Sequence, residues 1–103
     1  YEEKHIDAES KRGRLRLIAS PDGADGSLSI HQDARVYAAL LDSNDAIDYP
    51  VMPQRRVYLH VVRGGVTVNG TRLSSGDAAK LQELDSVRLS EADQAEVLLF
   101  DLP

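Results

Sequence analysis

The sequence predicts an all-β domain, an antiparallel β-barrel of the jelly-roll type with about ten short strands. Short segments in which apolar and polar residues alternate recur about every eight to twelve residues, which is typical of sandwiches and barrels. Clusters of Gly, Pro, Asp, Asn and Ser separate these segments. No segment sustains the helical period of about 3.6 residues, so we do not expect helices to build the fold.

The first half of the chain contains four predicted strands, over residues 14–19, 27–32, 35–41 and 46–51. The first ends at the turn sequence Ser20-Pro21-Asp22-Gly23. Both faces of segment 35–41 are apolar, which is typical of a strand that lies between two layers. Pro50 and Pro53 lack backbone donors, so residues 46–51 are predicted to form an edge strand or an irregular strand.

The second half contains six predicted strands, over residues 57–62, 66–68, 72–73, 78–81, 86–89 and 96–100. Gly64-Gly65 predicts a turn between the first two of them. Asn69-Gly70 separates the next two, and this dipeptide is preferred in two-residue type I′ hairpin turns. The sequence Ser74-Ser75-Gly76-Asp77 predicts a further turn.

The composition excludes several kinds of site. The 103 residues are enough for one domain with one core. They include no Cys, which excludes disulfides, thiolate metal ligands and a cysteine nucleophile. Twelve basic and seventeen acidic residues give a formal charge of −5, which argues against nucleic-acid contact. We interpret the basic cluster Lys11, Arg12, Arg14 and Arg16 as the solvated side of a linker rather than as a patch for nucleic acid or a partner.

The chain shows no sign of a membrane or secretory segment. No apolar run approaches the ~18 residues that a bilayer crossing needs. The segment Tyr1-Glu2-Glu3-Lys4-His5 lacks the basic start and apolar core of a signal peptide. We therefore expect a cytoplasmic protein without membrane contact. The mixed-charge start without Met also suggests a fragment of a longer chain.

Five segments together make the sequence similar to a known family. They are KRGRLRL at 11–17, ASPDG at 19–23, DGSLSIHQDARVY at 25–37, VVRGGVTVNG at 61–70 and AEVLLFDL at 95–102. On these residues the chain resembles the C-terminal cupin domain of the pirin family, specifically the quercetinase-like pirins of bacteria. The resemblance covers nearly the whole chain.

The resemblance implies a parent chain with two cupin barrels, of which this sequence is similar to the second. In that family the N-terminal barrel binds a transition metal through His and Glu, and some members oxidise the flavonol quercetin with O₂. Residues 1–13 are then expected to be an extended linker or arm from a preceding domain. Residues 14–103 are expected to form a metal-free cupin barrel, with the N-terminal barrel as its partner and as the place of the transition metal.

The family's metal ligands can be placed on this sequence by their spacing from the motif glycines. With Gly64 as the closing glycine of the first motif, the Glu position falls on Val57; with Gly65 it falls on Tyr58. The paired His positions fall on Val51 and Pro53, or on Pro50 and Met52, and the last His position falls on Val87. A mononuclear site needs three or four nitrogen or oxygen ligands. We therefore predict no metal, cofactor or catalytic residues in this domain.

His31 and His60 are the best remaining candidates for chemistry. Both are predicted to lie on strands, and adjacent strands could bring the two imidazoles together in a metal or acid-base site. No third ligand or nucleophile is placed to join them. We prefer the interpretation that each is a half-exposed strand residue with a hydrogen-bonded ring. His5 is expected to be solvated.

The other polar groups are better explained by turn chemistry. Three functional alternatives exist for them. Asp22, Asp25 and Asp33 could suggest a calcium loop, Asp42, Asp45 and Asp48 a glycosidase carboxylate pair, and Ser74-Ser75-Gly76 a nucleophile elbow. The first set lacks the spacing of an EF-hand, and no helix follows the serines. Spacing does not exclude the carboxylate pair, but its residues lie in a turn and an edge strand. The aromatic residues Tyr37, Tyr49, Tyr58 and Phe100 could line a cavity, although such residues belong first to the core.

These observations favour a non-catalytic C-terminal cupin that packs on the metal-containing N-terminal barrel and shapes its active site. The parent would then resemble a quercetin 2,3-dioxygenase, an oxidoreductase to which this part contributes contacts but no ligands. The alternative is a self-contained β-barrel module that binds a small apolar ligand. An open interior cavity would favour the alternative, and a packed interior would favour the partner domain.

Overall fold

Two long strands organise the fold. The computed structural model describes residues 8–103. Its elements are α1 Ala8–Lys11, β1 Arg16–Ser20, β2 Leu28–Ser29, β3 Arg35–Leu41, β4 Ile47–Pro50, β5 Arg56–Val68, β6 Thr71–Ser74, β7 Ala78–Gln82 and β8 Ser86–Leu102, with a 3-10 turn over Ala24–Gly26 between β1 and β2. β5 and β8 pair antiparallel along almost their whole length, from Arg56↔Leu102 to Val68↔Leu89.

Each half of this central pair belongs to a different sheet. The first half of β5 and the second half of β8 lie in a sheet of order β2-β1-β3-β8-β5-β7. The second half of β5 and the first half of β8 lie in a sheet of order β4-β8-β5-β6. We call these the large sheet and the small sheet. Within the described residues the pairings leave both sheets open, so the fold is a jelly-roll sandwich whose layers share β5 and β8.

β-bulges let β5 and β8 pass from one sheet to the other. The register between them shifts three times between Val61 and Thr67. Gly64 lies in this stretch of β5 with φ +75°, and Glu91 and Gln94 lie opposite in β8 with φ +49° and +46°. A bulge adds an unpaired residue and bends the strand. It also changes which alternate residues face inward, so the buried positions of β5 change from Val57, Leu59 and Val61 to Val66 and Val68.

A single apolar core lies between the two sheets. Its fully buried side chains include Leu59, Leu99 and Val97 from the large sheet and Val66, Val87 and Leu89 from the small sheet. Because both sets belong to one contact cluster, the two sheets face each other. Burying a side chain of this size stabilises the fold by about 1.5–3 kcal/mol, so the six together outweigh any surface interaction described below.

The all-β jelly-roll prediction is confirmed, and two of its elements match closely. β3 occupies Arg35–Leu41 as predicted, and β4 pairs with β8 alone, as expected of an edge strand with Pro50. Asn69 and Gly70 have φ +47° and +86°, the positive values that a type I′ turn requires at both central positions. The Asn69 side chain further fixes this turn by accepting a hydrogen bond of 2.7 Å from the Arg88 backbone N–H.

Other predictions were wrong. Residues 8–103 contain eight strands rather than ten, because the predicted strands 57–62 and 66–68 form one strand, β5, and 86–89 and 96–100 form one strand, β8. The Gly64-Gly65 pair therefore bends a strand and does not reverse the chain. The predicted strand 27–32 shortens to β2, which runs parallel to β1 rather than antiparallel. Within the expected extended arm 1–13, residues 8–11 form a helical turn, and residues 1–7 lie outside the described part.

Candidate functional site

Three of the positions expected to hold metal ligands, Val51, Val57 and Val87, lie in the sandwich interior, whereas Pro50, Met52 and Pro53 are exposed. Val57 is 1% exposed and Val87 is fully buried, and both belong to the apolar core together with Val51. Tyr58, the Glu position in the other register, follows Val57 on β5 and therefore points to the opposite face. No group of three or more His, Asp or Glu side chains converges as a metal site within residues 8–103. The valine side chains at the buried positions supply no nitrogen or oxygen ligands, so these positions do not fit a transition metal.

The structure does not bring His31 and His60 together. His31 follows β2 in a left-handed backbone conformation, φ +56°, so it is not a strand residue as predicted. Its Nε2 lies 3.4 Å from the Ser29 hydroxyl. His60 lies on β5, where it pairs with Leu98. Three strands of the large sheet separate β2 from β5, which amounts to about 19 Å at ~4.8 Å per strand. The hypothesis that His31 and His60 share a metal or acid-base site is therefore wrong.

A buried polar network takes the place of a metal centre in the sandwich interior. Asp101 is on β8 and is only 5% exposed. Its Oδ1 accepts a hydrogen bond of 2.8 Å from Nε of Arg55, and its Oδ2 accepts one from the Tyr49 hydroxyl. Asp101 pairs with Val57, and Tyr49 pairs with Val87, so the network lies directly beside the expected ligand positions.

Arg55 extends the network to the surface. Its Nη1 lies 2.8 Å from Oδ2 of Asp33, whose side chain is 69% exposed. Its Nη2 donates to the backbone carbonyls of Asp33 and Asp101, at 3.3 Å and 3.2 Å. One guanidinium therefore ties the loop before β3, the loop before β5 and the end of β8 together. Such planar, multiply bonded geometry is the arrangement for which Arg is suited.

The electrostatics of this network favour fixed protonation states. Burial, and then the hydrogen bond to Asp101, raise the pKa of Tyr49 far above its usual value, so its hydroxyl remains a donor. The hydrogen bond to Asp101 likewise raises the pKa of Arg55. Both Asp101 oxygens are engaged, and no buried side-chain polar atom among the described residues lacks a partner. The network joins β4, the end of β8 and the loops before β3 and β5. Its carboxylate, hydroxyl and guanidinium groups are all hydrogen-bonded to one another, so none of them is available as an acid or base.

The sequence contains one signal for this network that we did not use. Val97 and Leu99 face the core, so strict alternation also places Asp101 on the core face. A buried carboxylate requires a paired cation or donors. The alternation therefore predicts that Asp101 has a partner, although it does not identify Arg55 or Tyr49.

The four aromatic residues form two separate pairs rather than one cavity lining. Tyr37 and Tyr49 pack against the core with their ring centroids 5.2 Å apart. Tyr58 and Phe100, with centroids 5.9 Å apart, occupy alternate positions between core residues and so lie on the outer face of the large sheet.

The acidic and serine turns hold local or surface contacts. Asp33 pairs with Arg55, Asp48 pairs with Arg88 at 2.9 Å, and the Asp45 carboxylate accepts the backbone N–H of Asp42. In the predicted turn Ser74-Ser75-Gly76-Asp77, the Ser74 backbone N–H donates to the Asp77 carboxylate. The basic cluster is also engaged locally, with Arg12 on Glu9 and Arg14 on the Ser10 carbonyl. In the part of the chain that the structure describes, no helix has the length and apolar character to span a membrane.

Comparison with known proteins gives one consistent match. The family model "Quercetinase C-terminal cupin domain" matches residues 17–102. The chain is 36% identical over 103 residues to a quercetin 2,3-dioxygenase of Escherichia coli, covering 100% of this chain and 43% of that protein. It superposes on the crystal structure of Escherichia coli YhhW with a TM-score of 0.92 and 36% identity, covering the same shares of the two chains.

A second crystal structure, of the bacterial pirin YhhW in complex with nickel(II), gives a TM-score of 0.84 and 37% identity over 87% of this chain and 39% of that one. The chain thus spans less than half the length of the relatives it matches. The similarity in sequence and structure extends over the whole sandwich, including both long strands.

Proposed function

Because the chain belongs to the quercetinase C-terminal cupin family of the bacterial pirins, we propose that it is the non-catalytic second barrel of a two-barrel protein. In this proposal the domain begins near residue 14, and the residues before it link it to an N-terminal cupin. It packs on that N-terminal cupin and shapes its active site. The parent protein acts in the cytoplasm as an oxidoreductase that resembles quercetin 2,3-dioxygenase.

The observation that supports this proposal most directly is the filling of the expected metal position. Val51, Val57 and Val87 are part of the apolar core, and the Tyr49–Asp101–Arg55 network occupies the space beside them. A cupin that held a redox metal here would need imidazole and carboxylate donors directed inward. This domain uses the same positions to stabilise its own fold.

The packed interior also favours the partner domain over the small-ligand module. Leu59, Leu89 and Leu99 are the largest fully buried side chains and belong to the same apolar core. Native interiors of this kind have few voids larger than a water molecule. A flavonol would require displacement of these side chains, so the interior is better suited to rigidity than to binding.

The transition metal, when bound in the N-terminal barrel, would supply the redox chemistry with O₂. The residues described here contribute a rigid wall. This role predicts that substitutions on the surface that packs on the N-terminal barrel alter the KM or kcat of the parent while its metal content stays the same.

The test compares the 103-residue chain with the full-length parent, each supplied with iron, nickel, copper or zinc. Elemental analysis should give about one equivalent of metal in the parent and less than about a tenth in this chain. Quercetin consumption should follow the metal. Near-stoichiometric metal or parent-like turnover in the 103-residue chain would overturn the proposal, and a His31→Ala, His60→Ala double variant would then show whether the two imidazoles are responsible.

A further inference from the structure

The centre of the outer face of the large sheet is apolar. Register places one row of side chains across five adjacent strands, namely Leu28, Ala19, Val36, Phe100 and Tyr58. The next row contains Ala38, Leu98 and His60. Ala19 and Ala38 are buried and the other six side chains are half-buried, and α1 contacts β3 beside them. Antiparallel sheets that face water normally have polar residues at such positions.

The small sheet provides an internal comparison. Its outer positions hold Asp48 and Arg88, which form an ion pair of 2.9 Å, and Thr67 and Ser90, which pair across β5 and β8. The two long strands therefore carry polar residues at their outer positions in the small sheet. In the large sheet their outer positions hold Tyr58, Leu98, Phe100 and Leu102, with Arg56, His60 and Glu96 as the polar exceptions. This difference indicates that the outer face of the large sheet is covered in the complete protein.

The position of the first described residues indicates which part of the protein covers it. The apolar face contains a groove of about 330 Å³ lined by Ile18, Leu28, Val36 and Leu98, with two charged residues, Lys11 at the end of α1 and Glu96 of β8, also in its lining. The segment before β1 thus reaches the domain beside the apolar face. The relatives contain more than twice the length of this chain, so a domain-sized remainder is available to cover the face.

Cations border the apolar face. Arg16, Arg56 and Lys80 occupy outer positions on β1, β5 and β7, opposite Ala38, Leu102 and Tyr58 respectively. Arg16 donates to the backbone carbonyls of Leu17 and Asp25, so its charge is not neutralised by those contacts, and Arg56 is exposed. The formal charge of the whole chain is −5, which makes this border distinct from the rest of the surface.

From these observations we propose that the outer face of the large sheet, centred on Leu98 and Phe100, is the docking surface for the rest of the parent chain. This inference rests on the proposed function and specifies its geometry. The complementary surface on the N-terminal barrel is apolar at its centre and acidic at its border. Its apolar side chains bury Leu98, Phe100 and Tyr58, while its carboxylates approach Arg16, Arg56 and Lys80.

Thiol labelling of the full-length parent tests this surface, because the 103 residues contain no Cys. Three single variants each introduce one thiol. Leu98→Cys places it on the apolar face of the large sheet, and Thr67→Cys places it on the polar outer face of the small sheet. Met52→Cys places it on the exposed loop before β5, where Met52 is 66% exposed. Labelling by a maleimide is followed by mass spectrometry, which assigns the modified residue. Circular dichroism confirms that each variant is folded. We expect Leu98→Cys to react at least about tenfold more slowly than Thr67→Cys.

The possible outcomes separate this inference from the proposed function. Equal reaction of Leu98→Cys and Thr67→Cys, with protection of Met52→Cys, would mean that the domains pack through the loop end, so the surface is wrong and the proposed function stands. Rapid reaction at all three positions would overturn both. Protection of Leu98→Cys that disappears on about a hundredfold dilution would assign the surface to a second copy of the protein, which also overturns the inference. Slow reaction of Leu98→Cys that does not depend on concentration supports it.

Discussion

Gly64 allows the clearest test of how the two sheets are joined. It lies in the bulged part of β5 with φ +75°, a backbone conformation that costs a residue with a Cβ about 1–2 kcal/mol. A Cβ built on Gly64 would lie 2.5 Å from the Asp93 carbonyl oxygen and 2.7 Å from the Gln94 carbonyl carbon, and would be closer still to the Gln94 carbonyl oxygen. These atoms belong to the backbone of β8, so no side chain can rotate to make room.

Gly64→Ala must therefore separate β5 from β8 where the strands bend. The adjacent pairs Arg63↔Glu96 and Gly65↔Asp93 would lose about one or two backbone hydrogen bonds, each worth about 0.5–1.5 kcal/mol. Together with the conformational cost, we expect the free energy of unfolding to fall by about 3–4 kcal/mol. For a domain of this size the melting temperature should fall by roughly 15–25 °C.

Gly76→Ala is the matched control. Gly76 has φ +89°, and a Cβ there would have no atom within 4 Å, so this variant pays the conformational cost without the collision. We expect a loss of only about 1–2 kcal/mol. Urea unfolding of both variants, with slopes compared to check the two-state assumption, gives the difference directly. Equal destabilisation of the two variants would refute the idea that β5 and β8 are in backbone contact at Gly64.

Three further predictions concern the turn and the buried network. Gly70→Val should lower the free energy of unfolding by about 1 kcal/mol or more, because φ is +86° at this position of the type I′ turn; an unchanged melting temperature would contradict the turn type. Arg55→Ala leaves Asp101 buried without its cation and should cost about 3–5 kcal/mol by chemical unfolding. Asp33→Ala removes only the exposed partner of the same Arg55 and should cost less than about 1 kcal/mol, and similar values for the two would argue against the buried pair. Because the pKa of Tyr49 is raised in the folded state, its contribution to stability should be complete below about pH 10 and be lost above it as Tyr49 ionises in the unfolded chain; Tyr49→Phe should remove that part of the slope, and an identical slope in both proteins above about pH 10 would contradict it.

The sequence predicts local features of the fold better than the continuity of its strands. Segment 35–41 and the Asn69-Gly70 turn are defined by alternation and by the φ preferences of two adjacent residues, and the structure confirms both. Gly64-Gly65 has the composition of a turn, but a glycine at positive φ serves a bulge equally well. In β8 the corresponding bends fall on Glu91 and Gln94, which have no special preference for positive φ, so their positions depend on the pairing with β5.

The sequence indicates where the family's ligand positions fall, but it does not predict the contacts that the structure has beside them. The ligand positions follow from spacing and from the family resemblance, and the structure places Val51, Val57 and Val87 in the core. The Tyr49–Asp101–Arg55 network joins residues that are far apart in sequence. No local pattern specifies such contacts, because they arise only when the end of β8 has been brought beside β4 and the loop before β5.

The shared position of β8 has a consequence for how the domain is made. β8 is the last strand of these residues, and it supplies the neighbour of β3, of β4 and of β5. During synthesis β3 and β4 therefore leave the ribosome well before the strand that pairs with them. Non-local pairing of this kind slows folding because the entropy of chain closure is lost before the contacts form. Until β8 emerges, the apolar side chains of β3 and β5 have no complete sheet to join, so this stage of synthesis is when the nascent chain is most exposed to aggregation and most dependent on chaperones.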